Sequence, residues 1–191
     1  LGDHRAAVAD YTRALQIEGA ARGSAWDYFH RATQLWILGR VDEALEDCRR
    51  FRILHGRPWY TDARAALMLR HQGRDEEARR WIDEIGAAES NPHLNRVMAT
   101  FLGELAPEEL IAATAGGSNE ALCEALYYAG EAALLEGRTE EAAALFERCV
   151  AIGLTLDPDT LILTPMTEHE LAGWRLETLR GRTPPRQPTA S

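Results

Sequence analysis

Residues 118–153, SNEALCEALYYAGEAALLEGRTEEAAALFERCVAIG, read as two helices that meet at one sharp corner, Gly137-Arg138-Thr139. Ser118 is a residue type that caps free helical N–H groups. Behind it Leu122, Leu126, Ala129, Ala133 and Leu134 recur at the spacing of one helical face. Gly137 supplies the positive φ that a backbone turning between antiparallel helices needs. Thr139, an N-cap type, and Glu140-Glu141 place acids where the helix dipole favours negative charge. Ala142, Leu145, Phe146, Cys149 and Val150 form a second apolar face, with Ala142 small where the helices approach most closely. Phe146 fills the gap one turn on. Two helices of this size cannot bury their apolar faces alone, so the pair requires neighbours.

The neighbours are visible as a period. Gly39, Gly73, Gly103 and Gly137 are 34, 30 and 34 residues apart. Three of them open near-identical corners, GRVDEAL at 39–45, GRDEEAR at 73–79 and GRTEEAA at 137–143. Leu1-Gly2-Asp3-His4-Arg5-Ala6-Ala7 is a further copy, 37 residues before Gly39. The chain resembles the tetratricopeptide repeat (TPR), a helix–turn–helix unit with a small residue in its first helix, Gly at the corner, then Ala and an aromatic in the second. Gly130, Gly137, Ala142 and Phe146 carry that pattern best. The resemblance covers roughly residues 1–155 and implies an all-α, right-handed α-solenoid of TPR-like units with a C-terminal capping helix. The Gly103 corner departs from it. Glu104-Leu105-Ala106-Pro107 follows, and Glu108 stands where the small Ala belongs, so the fourth unit is expected to be shortened.

In order, the expected array runs over 1–180. It has a partial first repeat at 1–19, repeats at about 25–57, 58–90, 91–117 and 118–155, and a capping helix at 167–180. Thr167-Glu168-His169-Glu170 is a capping-box pattern opening that last helix. The run TLILTP, residues 160–165, lacks helical period and reads as extended. The tail at 181–191 is rich in Pro and polar residues and reads as disordered. Because the chain opens inside a repeat, it reads as a fragment whose upstream part is missing, which leaves its compartment unknown.

Composition narrows the function. The formal charge of −9 argues against a nucleic-acid backbone or an anionic membrane surface as main partner. No apolar run approaches the length of a membrane span. All 21 basic residues are Arg, which removes Schiff-base chemistry and a phosphate-loop Lys. Cys48, Cys123 and Cys149 imply no disulfide framework. The six His show no i, i+4 pair and there is no Cys-x-x-Cys, so neither a metal nor another cofactor is expected. The acidic pairs lie at helix starts, where the dipole already accounts for them. No catalytic residues are assigned, and the chain reads as a non-enzyme.

In the repeat's register, the first helix of each unit lines an inner, concave face. The resemblance therefore places Trp26, Phe29, Thr33 and Trp36 there from the second unit, and Tyr60, Arg70 and His71 from the third. Phe101 comes from the fourth, Tyr127 and Glu131 from the fifth. Large rigid rings with a few polar groups are what peptide grooves use. The competing reading is that these rings fill space between helices. Phe29, His30 and Thr33 stand where carboxylate-gripping TPR proteins carry Lys, Arg and Asn, which argues against that mode.

Cys123-Glu124-Ala125, Tyr127-Tyr128, Gly130, Gly137, Ala142, Leu145-Phe146 and Glu168-His169 are also similar to the terminal repeats of bacterial outer-membrane TPR lipoprotein adaptors. That group presents cell-wall endopeptidases to a protease, and the likeness implies an adaptor role and homodimerisation. The expectation is a non-catalytic scaffold that binds a protein partner, through a peptide segment or a partner helix, in its concave groove. The alternatives are a self-assembling dimer module, through the N-terminal end or Trp174, and the regulatory TPR region of a larger enzyme or sensor.

Overall fold

A computed structural model describes residues 3–18, 25–86, 91–152 and 167–181. The expected linker at 20–24, the TLILTP run and the tail beyond Gly181 lie outside these residues. The described residues are all-helical, in ten helices and no strand. They are α1 (His4–Glu18), α2 (Ala25–Ile37), α3 (Val41–His55), α4 (Tyr60–His71), α5 (Asp75–Ile85), α6 (Pro92–Leu102), α7 (Pro107–Ala112), α8 (Asn119–Leu135), α9 (Thr139–Ala151) and α10 (Glu168–Leu179). Contacts divide them into two compact units, α1–α6 and α7–α10.

One corner recurs across both units. Gly39, Gly73, Gly103 and Gly137 all take φ between 71° and 76°, a region only Gly enters without strain. At each, the amide after the glycine bonds back to a carbonyl five residues earlier: Arg40 to Leu35, Arg74 to Leu69, Glu104 to Ala99 and Arg138 to Ala133. At three corners the next helix is capped without a side-chain acceptor. Its N-cap is Arg40, Arg74 or Arg138, and the guanidinium grips the acid three residues on. Arg40 meets Glu43 at 2.6 Å, Arg74 meets Glu77 at 2.8 Å, and Arg138 pairs with Glu141. Thr139 is thus the first helical residue and Arg138 the cap. The fourth corner has the same backbone but Glu104 in place of Arg, and the helix after it, α7, is only six residues long.

Each unit is organised around one helix with neighbours on several sides. In the first it is α4, which packs on α3, α5 and α6 and buries every residue from Thr61 to Leu69. In the second it is α8, packed on α7, α9 and α10 and buried from Ala125 to Ala133. A helix buried all round belongs to a core. Ala44, Ala78 and Ala142, at the same place after their corners, are each 0 % exposed, so small residues mark the closest helix approaches.

Other helices are capped by side chains. Ser118 Oγ accepts from Ala121 N at 3.2 Å, and Asn91 Oδ1 from Leu94 N at 3.0 Å. Thr167 and Glu170 form the expected capping box.

Candidate functional site

In the first unit, side chains about 31 positions apart meet across neighbouring helices. Arg64 Nη1 donates to Thr33 Oγ1 at 2.9 Å, and its guanidinium lies 4.7 Å from the Phe29 ring centre. Arg70 donates to the Phe101 carbonyl, and its Nε pairs with Asp75 at 2.7 Å. Asn91 Nδ2 lies 3.5 Å from Tyr60 Oη. His4 Nδ1 stands 2.7 Å from Gln34 Oε1.

Phe29 and Phe51 are buried with Ala25, and Trp26, Tyr28, Leu54 and Trp59 pack around them, half-buried. Trp26 is the hub. Its ring centre lies 5.9 Å from Phe29, 5.5 Å from Phe51, 6.0 Å from His55 and 6.0 Å from Trp59. Trp59 continues to Tyr60 at 5.9 Å, edge on, and Arg57 stands over the Trp59 ring. The result is a half-buried string of rings, Trp26–Trp59–Tyr60 with His55 beside it, at the start of α4. Below the string, the Asp62 carboxylate accepts from Trp59 N at 3.1 Å and from Trp81 Nε1 at 3.1 Å. Burial pushes the Asp62 carboxyl up, and those two donors pull it back. Trp59 and its capped turn are therefore held in place.

Of the ten residues expected on the groove, Trp26, Tyr60, Arg70 and His71 reach solvent, His71 most. Tyr60 and His71 lie three turns apart on one side of α4. Phe29, Thr33, Trp36, Phe101, Tyr127 and Glu131 are buried within the chain. Tyr127 packs on Tyr128 and Phe146, at 5.0 and 6.0 Å, and Glu131 pairs with Arg175. Trp174, the alternative dimer surface, is also buried. Sequence reasoning missed Trp59 and His55. The signal present was the pair Trp59-Tyr60 behind Pro58, which marks a helix start with two adjacent rings.

Against family models, curated proteins and solved structures, the chain finds no significant match.

His30 lies against the same cluster, with ring centres at 5.4 Å to Phe29, 5.6 Å to Tyr11 and 6.4 Å to Trp26. Burial, with the nearby Arg64 charge, lowers its pKa to about 4, so it is neutral at physiological pH. Its Nδ1 has no hydrogen-bond partner among the described residues. In the second unit, Pro107 and Ile111 of α7 and Leu145 of α9 line an open groove rimmed by Glu141 and Arg148. Among the described residues no group of three His, Cys, Asp or Glu side chains could hold a metal ion. No helix among them is long and apolar enough to cross a membrane.

Proposed function

We propose that this chain is a TPR-like α-solenoid that acts as a non-catalytic protein-interaction scaffold, with the half-buried rings at the start of α4 as its peptide-binding surface. The carrying observation is the string Trp26–Trp59–Tyr60, packed against Phe29 and Phe51 and fixed by Asp62 while each of its three rings stays partly exposed. Three features support the repeat reading. The glycine corner recurs with one backbone conformation. The Arg-to-Glu cap recurs at three corners. Neighbouring helices are joined at a separation of 31 residues, Thr33 to Arg64 and Arg70 to Phe101.

Rings fixed in place lose little freedom on binding, and each one fully covered contributes on the order of 2 kcal/mol. Two or three such anchors supply at most about 4–6 kcal/mol before the cost of association, so micromolar affinity also requires main-chain hydrogen bonds along the peptide. Flexible extended peptides with an apolar side chain at alternate positions suit a ring string of this kind.

The test is a selection from a displayed random-peptide library, followed by calorimetry with the enriched peptide. Trp59→Ala and Tyr60→Ala weaken binding about tenfold or more while the helical circular-dichroism signal stays unchanged. A library that yields no peptide tighter than about 100 µM, or one whose binding ignores both substitutions, rules the reading out.

A further inference from the structure

Cys123 and Cys149 face each other across the α8–α9 pair with their sulfurs 2.8 Å apart, closer than two unbonded sulfurs ordinarily rest. Both thiols are free and buried, at 1 % and 0 % exposure. Cys149 Sγ is also 3.3 Å from the Cys123 carbonyl and 3.9 Å from the Glu168 carbonyl at the start of α10. Gly137 closes one end of this helical pair, and the two cysteines lie at the opposite, open end.

We propose that Cys123 and Cys149 form a reversible disulfide that closes the open end of the α8–α9 pair. The oxidant is a small-molecule disulfide of the oxidised-glutathione class. One cysteine thiolate attacks the small disulfide, forming a mixed disulfide and releasing one reduced thiol. The second cysteine, as thiolate, attacks the protein sulfur of that intermediate and releases the other reduced thiol. The protein loses two electrons and two protons, and the small disulfide gains them. The folded arrangement already holds the sulfurs 2.8 Å apart, so they need to close by less than about 1 Å to reach disulfide bond length. The hydrogen bond to the Cys123 thiol, and then burial, raise the Cys149 thiol, so the fully folded chain reacts slowly and attack begins when the end of the pair opens.

The crosslink constrains the unfolded chain across the whole α8–α9 segment. It therefore raises the melting temperature rather than altering the fold. Cys48 lies on α3 in the other unit and takes no part.

The purified full chain is incubated with oxidised glutathione under native conditions, then quenched and denatured. The expected result is a fall from three titratable thiols to one, a mass lower by two hydrogens, and a mapped Cys123–Cys149 peptide. Melting rises by about 5 °C and returns with dithiothreitol. Cys48→Ala keeps both the crosslink and the shift. Cys149→Ser removes them, and Cys149→Ala repeats that loss with a non-polar side chain should serine fold poorly. Three thiols surviving the oxidant, a crosslink that involves Cys48 or a second chain, a bond formed only in urea, or a crosslink without a rise in melting temperature would each overturn the proposal.

Discussion

The Phe146 ring occupies the space where a side chain on Gly130 would go: a Cβ at Gly130 would lie 2.6 Å from ring carbon Cε1 and 2.9 Å from Cδ1. Both residues are inside the second unit, and Phe146 is 0 % exposed. Ala at a helical position ordinarily gains up to about 1 kcal/mol over Gly. Here the ring cannot step aside without disturbing Tyr127, 6.0 Å away. Overpacking of this kind costs about 1–3 kcal/mol, so the clash wins. Gly130→Ala is expected to lower stability by about 1–2 kcal/mol in urea unfolding. Gly130→Ala combined with Phe146→Leu should lose less than the two single changes added together. An additive pair would mean that the ring and the glycine do not compete for the same space.

At Gly137 the reason for glycine is different. Its φ is +76° and nothing lies within 4 Å of a would-be Cβ, so strain alone opposes a side chain. Gly137→Ala is expected to destabilise by about 1 kcal/mol, and Gly137→Asn by clearly less, because Asn tolerates the left-handed region. Equal losses for Ala and Asn in thermal melts would show that something other than φ selects the glycine.

Glu131 and Arg175 make a two-pronged pair at 2.6 and 2.8 Å, with Glu131 0 % and Arg175 13 % exposed. A buried pair adds little over an apolar replacement, yet removing one partner strands the other charge. Arg175→Met is expected to lose about 3 kcal/mol or more, and adding Glu131→Met should restore much of it. A single variant as stable as the parent by denaturant unfolding would refute this account of α10 docking on α8.

His30 gives the first unit a pH dependence. Burial lowers its folded pKa to about 4, below its ordinary value of 6.5. The unfolded chain therefore binds the proton first. The neutral ring's contribution is complete above the unfolded pKa and is lost as pH falls from there through about 4. Asp47 and Asp62 run the other way, because burial raises their carboxyls; their contribution is present at low pH and lost as pH rises. The clean measurement is the difference between the parent and His30→Phe, which keeps the ring packing. Relative to that variant, the parent is expected to lose up to about 3 kcal/mol between pH 7 and pH 4. Parallel unfolding curves at both pH values would remove His30 as the cause.

Helices and corners were legible in the chain because their causes are local. Apolar spacing, Ser118 and Thr167 as caps, and glycine at Gly39, Gly73, Gly103 and Gly137 act within a few residues, and the observed helices follow them closely. The Arg-to-Glu cap was printed three times in the corner sequence, yet only the paired side chains reveal its role. Cys123 and Cys149 lie nearly equal distances either side of Gly137, so an antiparallel pair brings them together. Their meeting was implicit in the corner, though not drawn from it.

What belongs to the tertiary structure is which side chains end up covered. Helical spacing tells which residues share a face, but burial depends on what packs on that face from far along the chain. Glu131 disappears because α10 brings Arg175 from 44 positions away, Tyr127 is covered by Phe146, and Phe29 by Phe51 and Arg64. Trp59 is fixed in the ring string through Trp26, Tyr60 and Asp62 together. By itself the sequence determined where the chain is helical and where it turns, since backbone torsion and hydrogen bonding are settled by near neighbours. Only the folded arrangement decided which rings and charges meet solvent, since burial is a property of helices brought together across long stretches of chain.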